Sequence, residues 1–307
     1  MDLEGLGRAL GDRALAGEPM SRHTTFGIGG PADLFVVAHT VDELRRLVLL
    51  AHQHDVPFLI LGEGANLLVA DQGIRGLVIR NACKDIQDSS EDDGVRLVRA
   101  DSGAELRAVA QFAIVRGLAG LEWAVDVPGT VGGAVVGNAG AYSGYVGDNL
   151  RGAVVLSPDG EERWWPSSEL QLGYRTSTFK GSGRDQASPA VILSATFALH
   201  KDETGRLLER AEEFRARRAA SQPRGMSAGS VFKRTEQYPA GFLIENAGLK
   251  GTGIGGAIVS LKHANFIVNL GTATAREVHE LIELTREAVR REFDILLELE
   301  IELVGDW

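Results

Sequence analysis

Glycine is concentrated in two parts of this 307-residue chain, and this clustering limits what the chain can fold into. The chain has 38 glycines, about 12% of its residues, where average usage is about 7%. Nine lie between Gly117 and Gly147, and six lie between Gly241 and Gly256. Their neighbours are apolar, unlike the Ser, Gln or Pro of a flexible linker. We therefore expect ordered loops in which the backbone approaches other backbone or a ligand closely.

Length, charge and cysteine content exclude several classes of protein. The length fits about two domains, or three small ones. The 42 acidic and 32 basic residues give a net charge of -10, which argues against nucleic acid as the main partner. No apolar stretch approaches the roughly 18 residues of a membrane span, and the N-terminus lacks the apolar core of a signal peptide. Cys83 is the single cysteine, so we expect no disulfides, no metal site and a cytoplasmic protein.

Apolar periodicity predicts a small β-α-β-β unit in the first 80 residues. Thr40 and Glu43 form a capping-box pattern, and apolar residues then recur at helical spacing until His54. Short apolar runs at 32–38, 57–62 and 76–80 predict the strands. Residues 82–94 lose periodicity and gain charge, which favours a domain boundary there.

The remaining chain mixes helices and strands without regular alternation. Two further capping-box patterns, Ser102 with Glu105 and Thr274 with Glu277, predict helix starts, the first helix closing at Gly117. Residues 203–220 read as a charged helix, and residues 152–157, 190–199 and 295–304 as strands, the last alternating strictly. This mixture favours an α+β fold over a doubly wound sheet.

The glycine motifs do not match a standard nucleotide fingerprint. Gly251, Gly253 and Gly256 fit G-x-G-x-x-G, but the segment that follows reads as extended and not as the required helix. No GK[ST] follows the glycines of residues 61–69, which excludes a P-loop. The loops at 62–66 and 128–142 offer unhindered backbone N–H groups for a diphosphate. The alternative is that they are tight turns between packed elements.

Seven motifs together resemble one family. They are TTFGIGGPAD, LGEGANLLVAD, GLEWAVDVPGTVGGAVVGNAGAY, YRTSTF, SAGSVFKR, AGFLIENAGLKG and LLELEIELVG. In this order and spacing the chain resembles the bacterial UDP-N-acetylenolpyruvoylglucosamine reductases nearly end to end, in their shorter form. The resemblance implies an α+β fold with a two-subdomain FAD-binding module of the vanillyl-alcohol oxidase type, followed by a C-terminal α+β substrate domain. The implied boundaries are 1–82, 83–205 and 206–307.

The resemblance also implies the reaction and its partners. NADPH would reduce a non-covalently bound FAD, and UDP-N-acetylglucosamine enolpyruvate would be reduced to UDP-N-acetylmuramate. This is a step of peptidoglycan precursor synthesis, which links the protein to cell wall biogenesis, cell shape, the cell cycle and cell division. We expect a cytoplasmic monomer whose partners are these small molecules, with no nucleic acid or membrane partner.

Three residues match the family's catalytic positions. Arg175, in YRTS, falls on the catalytic arginine, and Ser230, in GSVFK, falls on the proton donor. Period-two alternation cannot choose among Glu298, Glu300 and Glu302. The family's ending selects Glu300, which stands two residues after another Glu and five before a Gly. The resemblance therefore implies Arg175, Ser230 and Glu300 as the catalytic residues.

Binding residues follow from the two loops and from the resemblance. The expected FAD contacts are Gly62, Glu63, Gly64, Ala65, Asn66, Pro128, Gly129, Thr130, Gly132, Gly133 and Asn138. The expected substrate contacts are Tyr174, Arg217, Lys233, Arg234 and His263. Lys233 is also a candidate to stabilise a Ser230 alkoxide.

Two open points concern charge in this region. The basic residues between 215 and 234, Arg218 among them, are candidates to hold the substrate diphosphate, although helix-end cations commonly just complement the helix dipole. Asp126 stands where most relatives have a small residue, and it places a negative charge near the expected FAD pyrophosphate.

Two other functions compete with the reductase. One is an FAD-dependent oxidase of a small alcohol or sugar, which would use the same flavin module. The YRTS, GSVFK and LELE motifs argue against it, because they belong to the substrate side. The other is a catalytically inactive flavin- or nucleotide-binding protein, against which the joint presence of Arg175, Ser230 and Glu300 speaks.

Overall fold

The computed structural model describes residues 1–92, 95–180 and 190–307, with the backbone alone for 89–92. Its helices are α1 Leu3–Leu10, α2 Val41–Gln53, α3 Leu106–Ile114, α4 Val131–Val136, α5 Val146–Asn149, α6 Thr204–Ser221, α7 Ala240–Asn246 and α8 Ala275–Phe293. Its strands are β1 Leu15–Pro19, β2 Pro31–Ala38, β3 Phe58–Leu61, β4 Leu67–Val69, β5 Ile74–Asn81, β6 Ile86–Asp92, β7 Val95–Asp101, β8 Leu118–Ala119, β9 Gly140–Ala141, β10 Gly144–Tyr145, β11 Leu150–Leu156, β12 Glu162–Pro166, β13 Val191–Lys201, β14 Gly253–Ile254, β15 Ala257–Val259, β16 Ile267–Asn269 and β17 Glu302–Val304.

The chain forms two compact units, each assembled from three segments. Unit 1 contains Met1–Leu15, Leu34–Gly62 and Gly76–Arg218. Unit 2 contains Ala16–Asp33, Glu63–Arg75 and Ala219–Trp307. The predicted boundaries near 82 and 205 are not tested by this division, and the three-domain description stays a prediction.

Unit 1 is built on two sheets. The larger has the strand order β12-β11-β13-β7-β6, with β8 added beside β13. In the smaller, β3 and β5 run parallel, with Phe58 opposite Leu77. α3 packs on the larger sheet, where Val109, Phe197 and other fully buried side chains form a core. α2 packs on the smaller sheet through Leu44, Leu47, Val48 and Ala51, which confirms the apolar face predicted for this helix.

The three capping-box patterns have different outcomes. Thr40 and Thr274 accept hydrogen bonds from the backbone N–H of Glu43 and Glu277, so these two predictions are confirmed. The Ser102 prediction is wrong. The Ser102 hydroxyl accepts a hydrogen bond from Asn81 Nδ2 at 2.8 Å, and α3 begins at Leu106 without a side-chain cap. A buried tertiary partner has replaced the local cap.

The charged segment predicted as a boundary is a strand over most of its length. β6 pairs antiparallel with β7 at the edge of the larger sheet, beginning with Ile86 opposite Ala100. Asp93 and Gly94 of the predicted boundary lie outside the described residues. An edge strand needs no continuous apolar face, so its sequence lacks the pattern that marks a buried strand.

Unit 2 joins early and late parts of the sequence. The parallel pair β4 and β17 places Leu67 opposite Glu302. Phe26 and Leu68 are fully buried in the same core as Phe232 and the apolar face of α8. A separate sheet has the order β14-β15-β16. The extended reading of residues 257–268 is therefore confirmed for β15 and β16, which are joined by a turn.

The N-terminus of α8 carries a cap from a distant segment in addition to its capping box. Asp71 accepts hydrogen bonds from the backbone N–H groups of Ala275 and Arg276 at 2.8 and 3.0 Å. These N–H groups have no partner within the helix, and a carboxylate there also complements the helix dipole.

We therefore expect Asp71→Ala to lower the free energy of unfolding by about 1–2 kcal/mol, the range for loss of a capping side chain. Urea unfolding followed by circular dichroism measures the change. Asp12→Ala is the control, because Asp12 is an exposed acidic residue of unit 1. Equal stability of the two variants would contradict the capping role.

Among the described residues, no helix is long and apolar enough to cross a membrane.

Candidate active site

The two predicted glycine loops meet within unit 1. Gly62 directly follows β3, and a Cβ atom at this position would lie 2.4 Å from Thr130 Oγ1 and 3.1 Å from Thr130 Cγ2. No real side chain tolerates that distance, so glycine is required for the loops to approach this closely. We call this contact, with the neighbouring Gly129, the glycine cradle; backbone and hydroxyl groups of this kind suit a diphosphate better than a bulky apolar group.

The 128–142 loop is more ordered than the sequence predicts, because it contains α4. The backbone N–H groups of Val131 and Gly132 donate to the carbonyls of Ala104 and Ser102, both at 2.8 Å. These two N–H groups are therefore used by the fold. Gly129 has φ +117°, and a Cβ there would meet nothing within 4 Å. Space beside the loop is therefore open at Gly129, whereas Thr130 is buried.

Tyr174 and Arg175 stand at the tip of a tight turn. Gly173 and Thr176 close the turn with two backbone hydrogen bonds, of 3.0 and 3.4 Å. Arg175 has a left-handed φ of +55°, which is uncommon for a residue with a Cβ. Its Nη2 donates to the Gly140 carbonyl at 3.0 Å. The guanidinium is therefore held against the glycine-rich loop.

Asn138, expected to contact the cofactor, uses its side chain within the protein. Its Oδ1 accepts a hydrogen bond from the Gly147 N–H at 2.9 Å, and its Nδ2 donates to the Gly173 carbonyl at 2.8 Å. The residue is 6% exposed. Asn138 thus links the glycine-rich loop to the base of the Arg175 turn.

In unit 2, a backbone hydrogen bond joins the segments that carry Ser230 and Glu300. The N–H of Glu300 donates to the carbonyl of Val231 at 2.8 Å. Gly229 precedes Ser230 in a left-handed conformation, with φ +78°, and no atom lies within 4 Å of a Cβ placed there. Ser230 is half-buried. Main-chain bonding therefore connects the two segments that carry the predicted catalytic residues of this unit.

Burial distinguishes Glu298, Glu300 and Glu302, which the period-two alternation of the sequence could not do. Glu300 is half-buried, whereas Glu302 is exposed and the Glu298 side chain is 74% exposed. Asn66 Nδ2 donates to the Glu300 carbonyl at 3.0 Å, and the Asn66 carbonyl accepts from the Glu302 N–H at 2.9 Å. The Asn66 side chain, expected to contact FAD, therefore also anchors the Glu300 segment.

Asn265, which the sequence did not indicate, holds the segment that follows Ser230. Its buried side chain accepts from the Phe232 N–H at 3.0 Å and donates to the Phe232 carbonyl at 2.8 Å. Its own carbonyl accepts from the Val231 N–H at 2.8 Å. Only the tertiary structure reveals this clamp, because Asn265 lies 35 positions away in the sequence.

Lys233 and His263 occupy structural contacts in unit 2. Lys233 Nζ pairs with Glu298 at 3.2 Å. Burial lowers the pKa of His263, whose Nδ1 accepts a hydrogen bond from the Asn265 N–H at 3.2 Å. This bond requires a ring nitrogen without a proton. The neutral His263 ring therefore supports the turn that carries Asn265.

The loop after β3 continues into unit 2. Gly64 has φ +62°, and a Cβ there would lie 2.4 Å from the His23 carbonyl oxygen. Glu63 and Ala65 are half-buried. In the other loop Pro128 is half-buried and Gly133 is exposed. The expected FAD contacts thus belong to both units.

The cations of the basic cluster differ in burial, and Arg215, Arg218 and Lys233 are half-buried. Arg217 is 64% exposed and pairs with Glu213 at 3.9 Å, and Arg234 is exposed. Arg218 is half-buried, and burial lowers the pKa of its guanidinium, with Tyr142 and Asp126 acting in the opposite direction. Burial makes Arg218 a stronger candidate for a bound anion than Arg217 or Arg234. The sequence alone did not separate it from its neighbours.

Asp126 has a basic partner in unit 1. Its Oδ1 lies 3.6 Å from Arg215 Nε. The negative charge expected near the FAD pyrophosphate is therefore partly balanced by the protein itself.

Among the residues with described positions, no group of three or more His, Cys, Asp or Glu side chains could hold a metal ion.

Comparison with known proteins defines the class. Residues 32–165 match the FAD binding domain family, and residues 222–304 match the C-terminal domain family of UDP-N-acetylenolpyruvoylglucosamine reductase. An FAD-binding module joined to this domain defines a flavoprotein oxidoreductase. UDP-N-acetylenolpyruvoylglucosamine reductase of Alkaliphilus oremlandii is 41% identical over 296 residues, which cover 96% of this chain and 94% of that protein. The chain belongs to the UDP-N-acetylenolpyruvoylglucosamine reductase family.

Two further relatives support the same family assignment. The enzyme of the same name from Listeria monocytogenes is 42% identical over 290 residues, with 94% of each chain covered. The crystal structure of the Thermus caldophilus reductase is 34% identical, has a TM-score of 0.77 and covers 95% of this chain and 98% of that one. The predicted fold class, an α+β FAD-binding module of the vanillyl-alcohol oxidase type with a C-terminal substrate domain, is confirmed. The FAD cofactor predicted from the sequence is confirmed by the family match.

Proposed function

We propose that this protein reduces UDP-N-acetylglucosamine enolpyruvate to UDP-N-acetylmuramate with NADPH, using a non-covalently bound FAD. The product is a peptidoglycan precursor. The observation that carries the proposal is the bond between the Glu300 N–H and the carbonyl of Val231, the residue after Ser230, which joins the segments that carry Ser230 and Glu300. We further propose a monomer working in the cytoplasm.

The glycine cradle fits a diphosphate-containing cofactor. Gly62, Gly129 and Thr130 would hold the FAD pyrophosphate, because no atom lies within 4 Å of a Cβ placed at Gly129 and the adjacent Thr130 hydroxyl lies against Gly62. Backbone N–H groups and the Thr130 hydroxyl are the kinds of donor that bind phosphate oxygens. When bound, FAD supplies hydride transfer between NADPH and the substrate.

Three side chains would act on the substrate. Hydride addition at C3 of the enolpyruvyl group pushes negative charge through C2 into the carboxylate. Arg175 would hold that carboxylate, since a guanidinium stays charged and binds two oxygens at once. Ser230 would then donate a proton to C2, and Glu300 would orient the substrate and Ser230 or supply the proton in turn. These roles remain proposals for this chain.

We propose Arg218, rather than Arg217, as the main cation for the substrate diphosphate. Arg217 is largely solvated and already pairs with Glu213. Arg218 is half-buried beside Tyr142, whose ring stacks on Phe214 with centroids 5.1 Å apart. A charge-assisted bond to phosphate is stronger where less water competes.

The oxidase alternative is not favoured. It would require only the FAD-binding module, whereas residues 222–304 match the reductase C-terminal domain. The catalytically inactive alternative would leave the positions of Arg175, Ser230 and Glu300 without a purpose.

The absorbance spectrum of the purified protein tests the proposal directly. We expect a flavin spectrum that anaerobic NADPH bleaches and that UDP-N-acetylglucosamine enolpyruvate restores, with UDP-N-acetylmuramate identified by mass spectrometry. Denaturation should release the flavin. A colourless protein that takes up no FAD would reject the proposal, and reoxidation that requires oxygen and a small alcohol would favour the oxidase.

A further inference from the structure

We propose that Asn138 is a positioning residue for Arg175, setting the place of its guanidinium through the turn on which Arg175 stands. The inference rests on the proposed role of Arg175 in the reaction. It gives Asn138 a different function from the FAD contact that its place in the glycine-rich loop suggests.

Both ends of the Asn138 carboxamide are used by the fold. Oδ1 accepts from the Gly147 N–H at 2.9 Å, and Nδ2 donates to the Gly173 carbonyl at 2.8 Å. These bonds fix the direction of the amide plane, because one end must accept and the other must donate. The residue is 6% exposed, so little of the side chain faces solvent or ligand.

The loop that carries Asn138 also contacts the Arg175 guanidinium. Gly140, two residues after Asn138, accepts a hydrogen bond from Arg175 Nη2 at 3.0 Å. The loop therefore holds the turn at its base, through Gly173, and at the charged end of Arg175. A shift at Asn138 would displace both contacts together.

The conformation of the turn explains why an anchor is needed. Arg175 has φ +55°, and a non-glycine residue persists in this region only where its surroundings hold it there. One anchor comes from Ser177 Oγ, which donates to the Val136 carbonyl at 2.7 Å. Asn138 supplies the anchor on the other side, at Gly173. Without it, the turn can relax toward a more common backbone conformation and move Arg175.

Two variants separate the positioning role from a general loss of structure. Asn138→Asp keeps the size and the acceptor for Gly147, but it places a carboxylate oxygen against the Gly173 carbonyl. Asn138→Gly removes the side chain while accommodating the left-handed backbone of this position, where φ is +40°. Asn149→Ala is the matched control. Asn149 Nδ2 also donates to a backbone carbonyl in unit 1, that of Gly120, at 2.9 Å.

We expect both Asn138 variants to lose about 10- to 100-fold in kcat, as a misplacement of about 1 Å can cost that much. Their FAD dissociation constants should stay within about threefold of wild type. Asn149→Ala should keep kcat within about twofold. A weaker FAD affinity with normal kcat for the loaded enzyme would show that Asn138 serves the cofactor, and would overturn the inference.

A double-mutant cycle with Arg175→Lys tests whether Asn138 acts through Arg175. If it does, adding Asn138→Asp to Arg175→Lys should cost less than about threefold in kcat, because the same contribution is already lost. Full multiplication of the two losses would overturn the inference. Normal kcat in Arg175→Lys would reject the proposed role of Arg175 and this inference with it. Normal kcat in Asn138→Asp beside a slow Arg175→Lys would reject this inference alone.

Discussion

Replacement of Ser230 by Ala is expected to lower kcat about 10²–10⁴-fold, the range for loss of a general acid, while NADPH still reduces the bound flavin. The two half-reactions are chemically separate, and a proton donor to C2 is needed only in the second. Stopped-flow absorbance of flavin reduction and of reoxidation by the enolpyruvyl substrate measures each step. A large loss confined to reoxidation would support the assignment.

Ser227→Ala is the matched control for this prediction. Ser227 lies three residues earlier and is also half-buried, and its backbone carbonyl accepts a hydrogen bond from Thr25 Oγ1 at 2.8 Å. The substitution leaves that carbonyl in place, so both half-reactions should stay near wild type. An equal loss of flavin reduction in Ser230→Ala would show that Ser230 has a role other than the final proton transfer.

Glu300→Gln is expected to lower kcat at least about 10²-fold, and it should leave the melting temperature close to that of wild type. The amide keeps the size of the side chain but removes the charge and the acid, so the loss would fall on the transition state. Glu298→Gln and Glu302→Gln serve as matched variants, because both side chains are exposed. Each should change stability by no more than about 0.5–1 kcal/mol and leave kcat within about twofold.

Steady-state rates and thermal melts of these three variants decide between a structural and a chemical role. Comparable rates in all three variants would mean that the three carboxylates are only solvated surface groups with no part in the chemistry. A larger loss at Glu298 or Glu302 than at Glu300 would show that the family's ending was aligned to the wrong residue.

The sequence predicted helix starts correctly where the cap is local. Thr40 and Thr274 bond to residues three positions later, and a pattern of short range is enough to identify them. Ser102 carries the same pattern, but its hydroxyl pairs with Asn81, which no local rule anticipates. In such cases a buried hydrogen-bond partner from a distant segment overrides local helix propensity and the spacing of the capping pattern.

The last strand was only partly predictable, for a similar reason. Alternation over 295–304 predicted a continuous strand, whereas β17 covers only Glu302–Val304 and Leu299 makes an isolated bridge to Phe232. Alternation reports which side chains face the core, and Leu297 and Ile301 are indeed buried. Whether those residues also pair in a sheet depends on how far the neighbouring strand extends.

The site residues came from the resemblance, and their surroundings could not be read from the sequence. Nothing in the local sequence indicates that the N–H groups of Val131 and Gly132 donate to backbone carbonyls elsewhere in the fold. Nor does it indicate that the Asn138 side chain hydrogen-bonds to the Arg175 turn. Burial likewise distinguishes Arg218 from Arg217 only after helix α6 has packed. Each of these facts depends on contacts between distant segments.

The interleaving of unit 2 limits how this protein can be divided or exchanged. Asp71 caps α8, β4 pairs with β17, and Phe26 is buried with Phe232, although these partners are separated by about two hundred residues. A fragment beginning near residue 206 would leave all three early partners behind. The C-terminal part of the chain therefore cannot be transferred to another protein by itself. A chimera between family members would have to transfer 16–33, 63–75 and 219–307 together.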